Sequence, residues 1–133
     1  MSELLGPGVR LGHVAVASRD LDHPLVGLLD GARLTGREMP SGVRVARLGQ
    51  LEFVSPARED SPVDRFLATR GPGLHHLALV VADPLERVRA RLGEAGVETI
   101  GAIEPGSDGR RTLFLHPRSM GGVLVELVEG GGS

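Results

Sequence analysis

The sequence contains no cysteine. That absence excludes disulfides, iron–sulfur clusters, thiolate metal centres and cysteine nucleophiles together, and it leaves histidine and carboxylate as the strong metal ligands. It also fits a reducing cytoplasm. Lysine is missing too, since all 15 basic residues are arginine. A lysine Schiff base is therefore excluded. With no Trp, no Tyr and three Phe, the chain lacks the stacking surface of a single-strand binder, and a formal charge of −2 gives no overall attraction to nucleic acid. No apolar run approaches the roughly 18 residues of a membrane span, and no Arg-rich or apolar leader pattern precedes the first strand-like run. The expectation is one soluble, cytoplasmic domain of 133 residues with neither nucleic acid nor membrane as partner.

What the chain does contain is organised around residues 71–83, GPGLHHLALVVAD. On a strand, alternate side chains share a face, so His76, Ala78 and Val80 point one way and His75, Leu77, Leu79 and Val81 the other. The small Ala78 leaves room on the face of His76. Residues 9–17, VRLGHVAVA, do the same, with His13, Ala15 and Ala17 opposite Val14 and Val16. A single strand histidine is more often structural than ligating. The recurrence is what argues for a shared role.

After the first strand, Asp20 to His23 supply helix-start chemistry, Pro24 suits a first helical position, and Leu25, Leu28 and Leu29 form a short apolar stripe stopped by Gly31. Residues 43–48 and 51–54 read as a hairpin around Gly49-Gln50, with Glu52 inside the second run. A linking helix follows at about 61–70: Ser61 as N-cap, Pro62 first, Asp64 three after the cap, Val63, Phe66 and Leu67 inward, and Gly71 at the close. Beyond the strand at 74–81, Asp83 is expected to cap a helix with Glu86 as its carboxylate partner. Leu85, Val88 and Leu92 give that helix its buried face, Arg87, Arg89 and Arg91 lie largely outside it, and Gly96 ends it. Extended segments are expected at 97–103, 111–116 and 122–128, with a turn at 105–109 and a glycine tail.

The order reads as a duplicated βαβββ unit in an α+β chain, repeat one at about 8–57 and repeat two at about 72–129. His13 matches His76, and Glu52 in LEFV matches Glu126 in VLVELV. A charged residue in a short strand usually faces solvent. Two imidazoles and two carboxylates nevertheless form a mixed N/O set suited to a divalent first-row ion, with two positions left for water or substrate. Of the other histidines, His23 reads as a cap-region residue, His75 faces away from His76, and His116 is either structural or in contact with substrate.

These residues carry a resemblance. LGHVAVASRDLD, LEFVSPAREDSPVDRFL, GPGLHHLAL and RRTLFLHPRSMGGVLVELVE are similar to the methylmalonyl-CoA epimerases, a branch of the vicinal-oxygen-chelate superfamily that also holds glyoxalase I and the bleomycin-resistance proteins. The resemblance implies a single glyoxalase-like domain in which the tandem βαβββ repeats form an open barrel. It implies metal ligands at His13, Glu52, His76 and Glu126, with Co²⁺ or Mn²⁺ favoured and Zn²⁺, Ni²⁺ or Mg²⁺ compatible. It further implies an acyl-CoA substrate, a homodimer, and epimerisation by removal and return of the C2 proton through a metal-stabilised enolate.

Two departures stand out. Well-known bacterial epimerases carry a glutamate where this chain, after Gly42-Val43, has Val45, so the base is sought at Glu52 and Glu126, with Glu38 a distant third. The first helix is also shortened to PLVGLLDG. Arg110, Arg111 and Arg118 flank turn-rich loops near the last strands, where they would pair with phosphates or simply be solvated. Ser119, Gly121 and Gly122 allow close backbone approach to a ligand. The alternatives to the epimerase are another enzyme of the superfamily, a glyoxalase-type isomerase or an epimerase of a related acyl-CoA, and a non-catalytic small-molecule-binding member.

Overall fold

A computed structural model describes residues 4–29 and 34–130. Gly31 and the tail at 131–133 lie outside the described residues. The elements run β1 (Arg10–Ala17), α1 (Pro24–Leu29), β2 (Arg37–Glu38), β3 (Val43–Leu48), β4 (Leu51–Pro56), α2 (Pro62–Arg70), β5 (Gly73–Val81), α3 (Leu85–Glu94), β6 (Thr99–Pro105), β7 (Arg111–Leu115) and β8 (Val125–Glu129), with a 3-10 turn at Pro117–Ser119. The α+β class and the tandem βαβββ order are both present. β2 escapes the sequence pattern because it is two charged residues without apolar alternation. No helix among the described residues is long and apolar enough to cross a membrane. Two compact units result, His13–His75 and Met1–Gly12 with His76–Ser133.

In the unit His13–His75 the strand order is β2-β3-β4-β1. β3 and β4 form the expected hairpin, in which Leu48 faces Leu51, Arg47 faces Glu52 and Val45 faces Val54. Gly49 takes the positive φ of 63° that this tight turn requires. β4 then runs parallel to β1 with Glu52 beside Ala15, and the intervening α1, β2 and β3 make the crossover that a parallel pair needs. On one face Val16 and Phe53 pack with Val26 of α1. On the other, Ala17 and Val54 pack with Val63 and Leu67 of α2.

α2 follows its sequence signals. Ser61 Oγ accepts from the Asp64 amide at 3.2 Å, and Gly71, at φ 75°, donates its N–H to the Leu67 carbonyl. Such an N-cap contributes about 1 kcal/mol. α1 departs from them: Val26 is the buried residue, whereas Leu28 and Leu29 are 81% and 54% exposed. At six residues the helix brings only its first turn over the sheet, so the second-turn leucines never reach the core.

In the second unit the order is β5-β8-β7-β6, with β8 parallel to β5 and β7 antiparallel to both of its neighbours. Leu85, Val88 and Leu92 of α3 join Val81, Leu113, Leu115 and Leu127 in the largest of the apolar clusters. Each such side chain contributes about 1.5–3 kcal/mol on burial. β8 begins at Val125 rather than 122 because Gly121 and Gly122, at φ 64° and 94°, hold the preceding turn.

The expected cap of α3 is not made by Asp83. Pro84 occupies the cap position, and Asp83 instead accepts from Arg91 Nη2 at 2.6 Å. The Leu85 amide donates to Glu129 Oε2 of β8 at 2.9 Å, which places a carboxylate at the positive end of the helix. Arg111 joins these elements, donating to Glu86 at 2.6 and 2.7 Å and to Glu129 at 2.9 and 3.0 Å.

Hydrogen bonds from Arg111 hold the Glu86 carboxyl at about 2, against an ordinary 4.5. The same guanidinium, followed by the Leu85 amide, lowers Glu129. Carboxylates with lowered folded-state values add stability above their ordinary range and lose it as pH falls through the folded values. Arg111→Met is therefore expected to lower the melting temperature by a few degrees at pH 7. The gap to wild type should close between about pH 4.5 and 2; a gap constant across that window, measured by thermal melts, would refute the linkage.

Candidate functional site

His13 and Glu52 are 6% and 4% exposed. They meet because the parallel register sets Glu52 beside Ala15, two residues along the same face from His13. Ala15, fully buried and small, leaves the imidazole room to lean toward the carboxylate. His13 Nε2 lies 3.5 Å from Glu52 Oε1. Arg47, directly across the hairpin, reaches the same pair: its Nη2 donates to Glu52 Oε2 at 3.0 Å and lies 3.0 Å from His13 Nδ1. A guanidinium nitrogen only donates, so Nδ1 is the acceptor there.

The second unit repeats the arrangement. Glu126 of β8 lies beside Ala78 of β5, as Glu52 lies beside Ala15. His76 and Glu126 are each 8% exposed, with Nε2 and Oε1 3.3 Å apart. Phe114, opposite Glu126 on β7, packs edge-on against the His76 ring at 5.7 Å and 85°. Beside them the turn after β6 approaches closely. A Cβ on Gly106 would stand 2.7 Å from Thr112 Cγ2 and 3.8 Å from Glu126 Oε2, so the backbone there leaves no room for a side chain.

Burying a carboxylate beside an imidazole is costly unless a cation or hydrogen bonds compensate it. Each pair offers one nitrogen and one oxygen, donors that suit a divalent first-row ion. The residues present thus fit such an ion. Arg47 and Phe114 are absent from the sequence reading. The register held the signal: a two-residue turn at Gly49-Gln50 sets Arg47 opposite Glu52.

Glu38 faces Arg44, and its side chain is 63% exposed. Because Val45 and Arg47 share the face of His13 and Glu52, Glu38 and Arg44 belong to the opposite one. Val45 packs against the cluster under α2. His23 Nδ1 accepts from the Leu25 amide at 3.1 Å, as a cap-region residue does. The His75 ring packs against Phe66, 4.7 Å between centroids and tilted by 59°. His116 caps the 3-10 turn, Nδ1 accepting from the Arg118 amide at 3.0 Å. Ser119 Oγ accepts from the Glu98 amide at 2.9 Å, and Arg118 lies 3.6 Å from the Glu98 carboxylate. Arg110 lies 3.9 Å from Asp108. The Arg111 guanidinium is engaged by Glu86 and Glu129.

Comparison with known proteins adds a second line. The family model described as glyoxalase/bleomycin resistance protein/dioxygenase superfamily matches residues 12–114. The ethylmalonyl-CoA/methylmalonyl-CoA epimerase of Cereibacter sphaeroides is 37% identical over 129 residues, covering 89% of this chain and 96% of that protein. The mitochondrial methylmalonyl-CoA epimerase of Dictyostelium discoideum is 33% identical, covering 90% of this chain and 78% of its own. Among solved structures, a methylmalonyl-CoA epimerase in complex with methylmalonyl-CoA and NH4⁺ superposes with a TM-score of 0.81 at 32% identity, over 93% of this chain and 96% of the other.

The cap at His116 has a measurable weight. His116→Ala leaves the Arg118 amide without its side-chain acceptor and is expected to cost about 1 kcal/mol in urea denaturation. An unchanged midpoint would show that solvent replaces the cap without loss.

Proposed function

Because the chain belongs to the glyoxalase/bleomycin resistance protein/dioxygenase superfamily, we propose that it is a metal-dependent epimerase of methylmalonyl-CoA whose His13, Glu52, His76 and Glu126 hold one divalent ion. The observation that carries this reading is the buried His–Glu pair at the same register in both βαβββ units. Co²⁺ and Mn²⁺ are the favoured ions, and Zn²⁺, Ni²⁺ or Mg²⁺ would accept the same donors. When bound, the ion supplies positive charge for the thioester oxygen on which negative charge develops as C2 loses its proton.

Epimerisation takes a proton from one side of C2 and returns one to the other, so it needs two proton-carrying groups. Glu52 and Glu126 are the candidates, one carboxylate accepting the C2 proton and the other delivering its own. Val45 has no acid–base group, and Glu38 lies on the opposite face of its sheet. For the CoA portion, Arg110, Arg118, Ser119 and His116 offer cations and hydrogen-bonding groups near the last two strands, and Arg111 contributes there by fixing Glu86 and Glu129 in place. We take the protein as a cytoplasmic homodimer.

One observation favours a second reading within the same chemistry. The Cereibacter sphaeroides relative is named for ethylmalonyl-CoA as well as methylmalonyl-CoA. The six-residue α1, with Leu28 and Leu29 exposed, is a departure that would alter which acyl group is accepted.

Protein reloaded with Co²⁺ or Mn²⁺ and incubated with methylmalonyl-CoA in D₂O is expected to incorporate deuterium at C2 with interconversion of the epimers, followed by mass and by coupling to a stereospecific mutase. His76→Ala should abolish both uptake and metal binding, while Glu38→Gln should alter neither. Metal bound without uptake would reject the substrate and direct the assay to ethylmalonyl-CoA. Metal content unchanged in a folded His76→Ala would reject the ligand set.

A further inference from the structure

Arg47 is a cation seated on two of the groups proposed as ligands. Its side chain, 38% exposed, reaches from the hairpin onto a Glu52 carboxylate that is 5% exposed. Its Nη2 lies 3.0 Å from both Glu52 Oε2 and His13 Nδ1. The outer partner of a ligating histidine is ordinarily an acceptor, a carboxylate or a carbonyl, that takes the proton of the nitrogen not bound to metal. Arg47 presents the opposite polarity.

That polarity has a steric and an electrostatic consequence. A neutral imidazole has one lone pair in its ring plane, and here Nδ1 directs it at Arg47. An ion taken by Nδ1 needs that lone pair itself. An ion taken by Nε2 requires the proton to sit on Nδ1, where it would face the N–H of Arg47 at 3.0 Å. Either way Arg47 must leave His13. Glu52 can share, since it has a second oxygen, but a fixed positive charge beside it repels an incoming dication in a site screened from water.

We propose that Arg47 is a built-in competitor for the divalent ion: it satisfies the His13–Glu52 pair as a cation and must be displaced for the ion to bind. The proposal rests on the ligand reading above. It makes Arg47 a positioning residue that sets how tightly the site holds its ion, and it gives the Arg47 side chain two positions, one on the pair and one away from it.

The test is calorimetric titration of Mn²⁺ and Co²⁺ into metal-free wild type, Arg47→Met, the neutral polar Arg47→Gln, and His13→Ala. Changes in the groups behind metal ligands move affinity by roughly 10–100-fold. Both neutral variants are expected to bind about tenfold or more tightly than wild type, with the Co²⁺ absorption spectrum unchanged because the ligands are the same. Equal or weaker binding in either folded variant would overturn the proposal and make Arg47 a support for Glu52. On wild type alone, phenylglyoxal modification of Arg47, read by mass spectrometry, should speed up once Mn²⁺ is bound; a rate indifferent to the ion also overturns it. His13→Ala separates the two levels. Loss of binding there keeps the ligand reading whatever Arg47 does, while binding as in wild type removes the ligand reading and this proposal with it.

Discussion

Each half of this protein has to keep a carboxylate and an imidazole together out of water, and the rest of its architecture follows from how it does so. The means is a parallel pairing between the first and last strand of each βαβββ unit, with a fully buried alanine beside each glutamate. A larger residue at Ala15 or Ala78 would occupy the space into which the histidine leans. The register also fixes the face: a slip by one residue would turn His and Glu onto the opposite side of the sheet, which α1 packs in the first unit and α3 in the second. Parallel strands need a crossover, so the helix and the two strands between them are part of the same requirement.

The two units meet that requirement with different neighbours. In the first, the residue across the hairpin from the glutamate is an arginine, which compensates the buried charge directly. In the second it is Phe114, which offers the histidine an edge contact and no charge. The duplicated framework thus carries two unlike environments on one pattern.

Away from the pairs, the helices show the same economy of local and distant contacts. α2 is capped from within its own sequence by Ser61 and closed by Gly71. α3 takes its N-terminal acceptor from β8 through Glu129, and Arg111 ties Glu129 to Glu86. The last strand therefore serves two ends: it carries Glu126 on one face, and three residues further along, on the other face, it anchors α3 through a carboxylate that also engages Arg111. α1 takes its N-terminal acceptor from His23 just before it, and Leu28 and Leu29 at its far end stay exposed.

The sequence by itself determined the repeat, the correspondence of His13 with His76 and of Glu52 with Glu126, and the limits of α2. Strand alternation, turn glycines and an N-cap serine act within a few residues, so a linear reading recovers them. The tertiary structure alone decided that each histidine meets its glutamate, that Phe114 sits against the second pair, that Glu129 rather than Asp83 serves the start of α3, and that Val26 rather than Leu28 and Leu29 enters the core. Those outcomes depend on which strand lies across from which and on how far a six-residue helix reaches, and both are settled by pairing between segments distant in the chain.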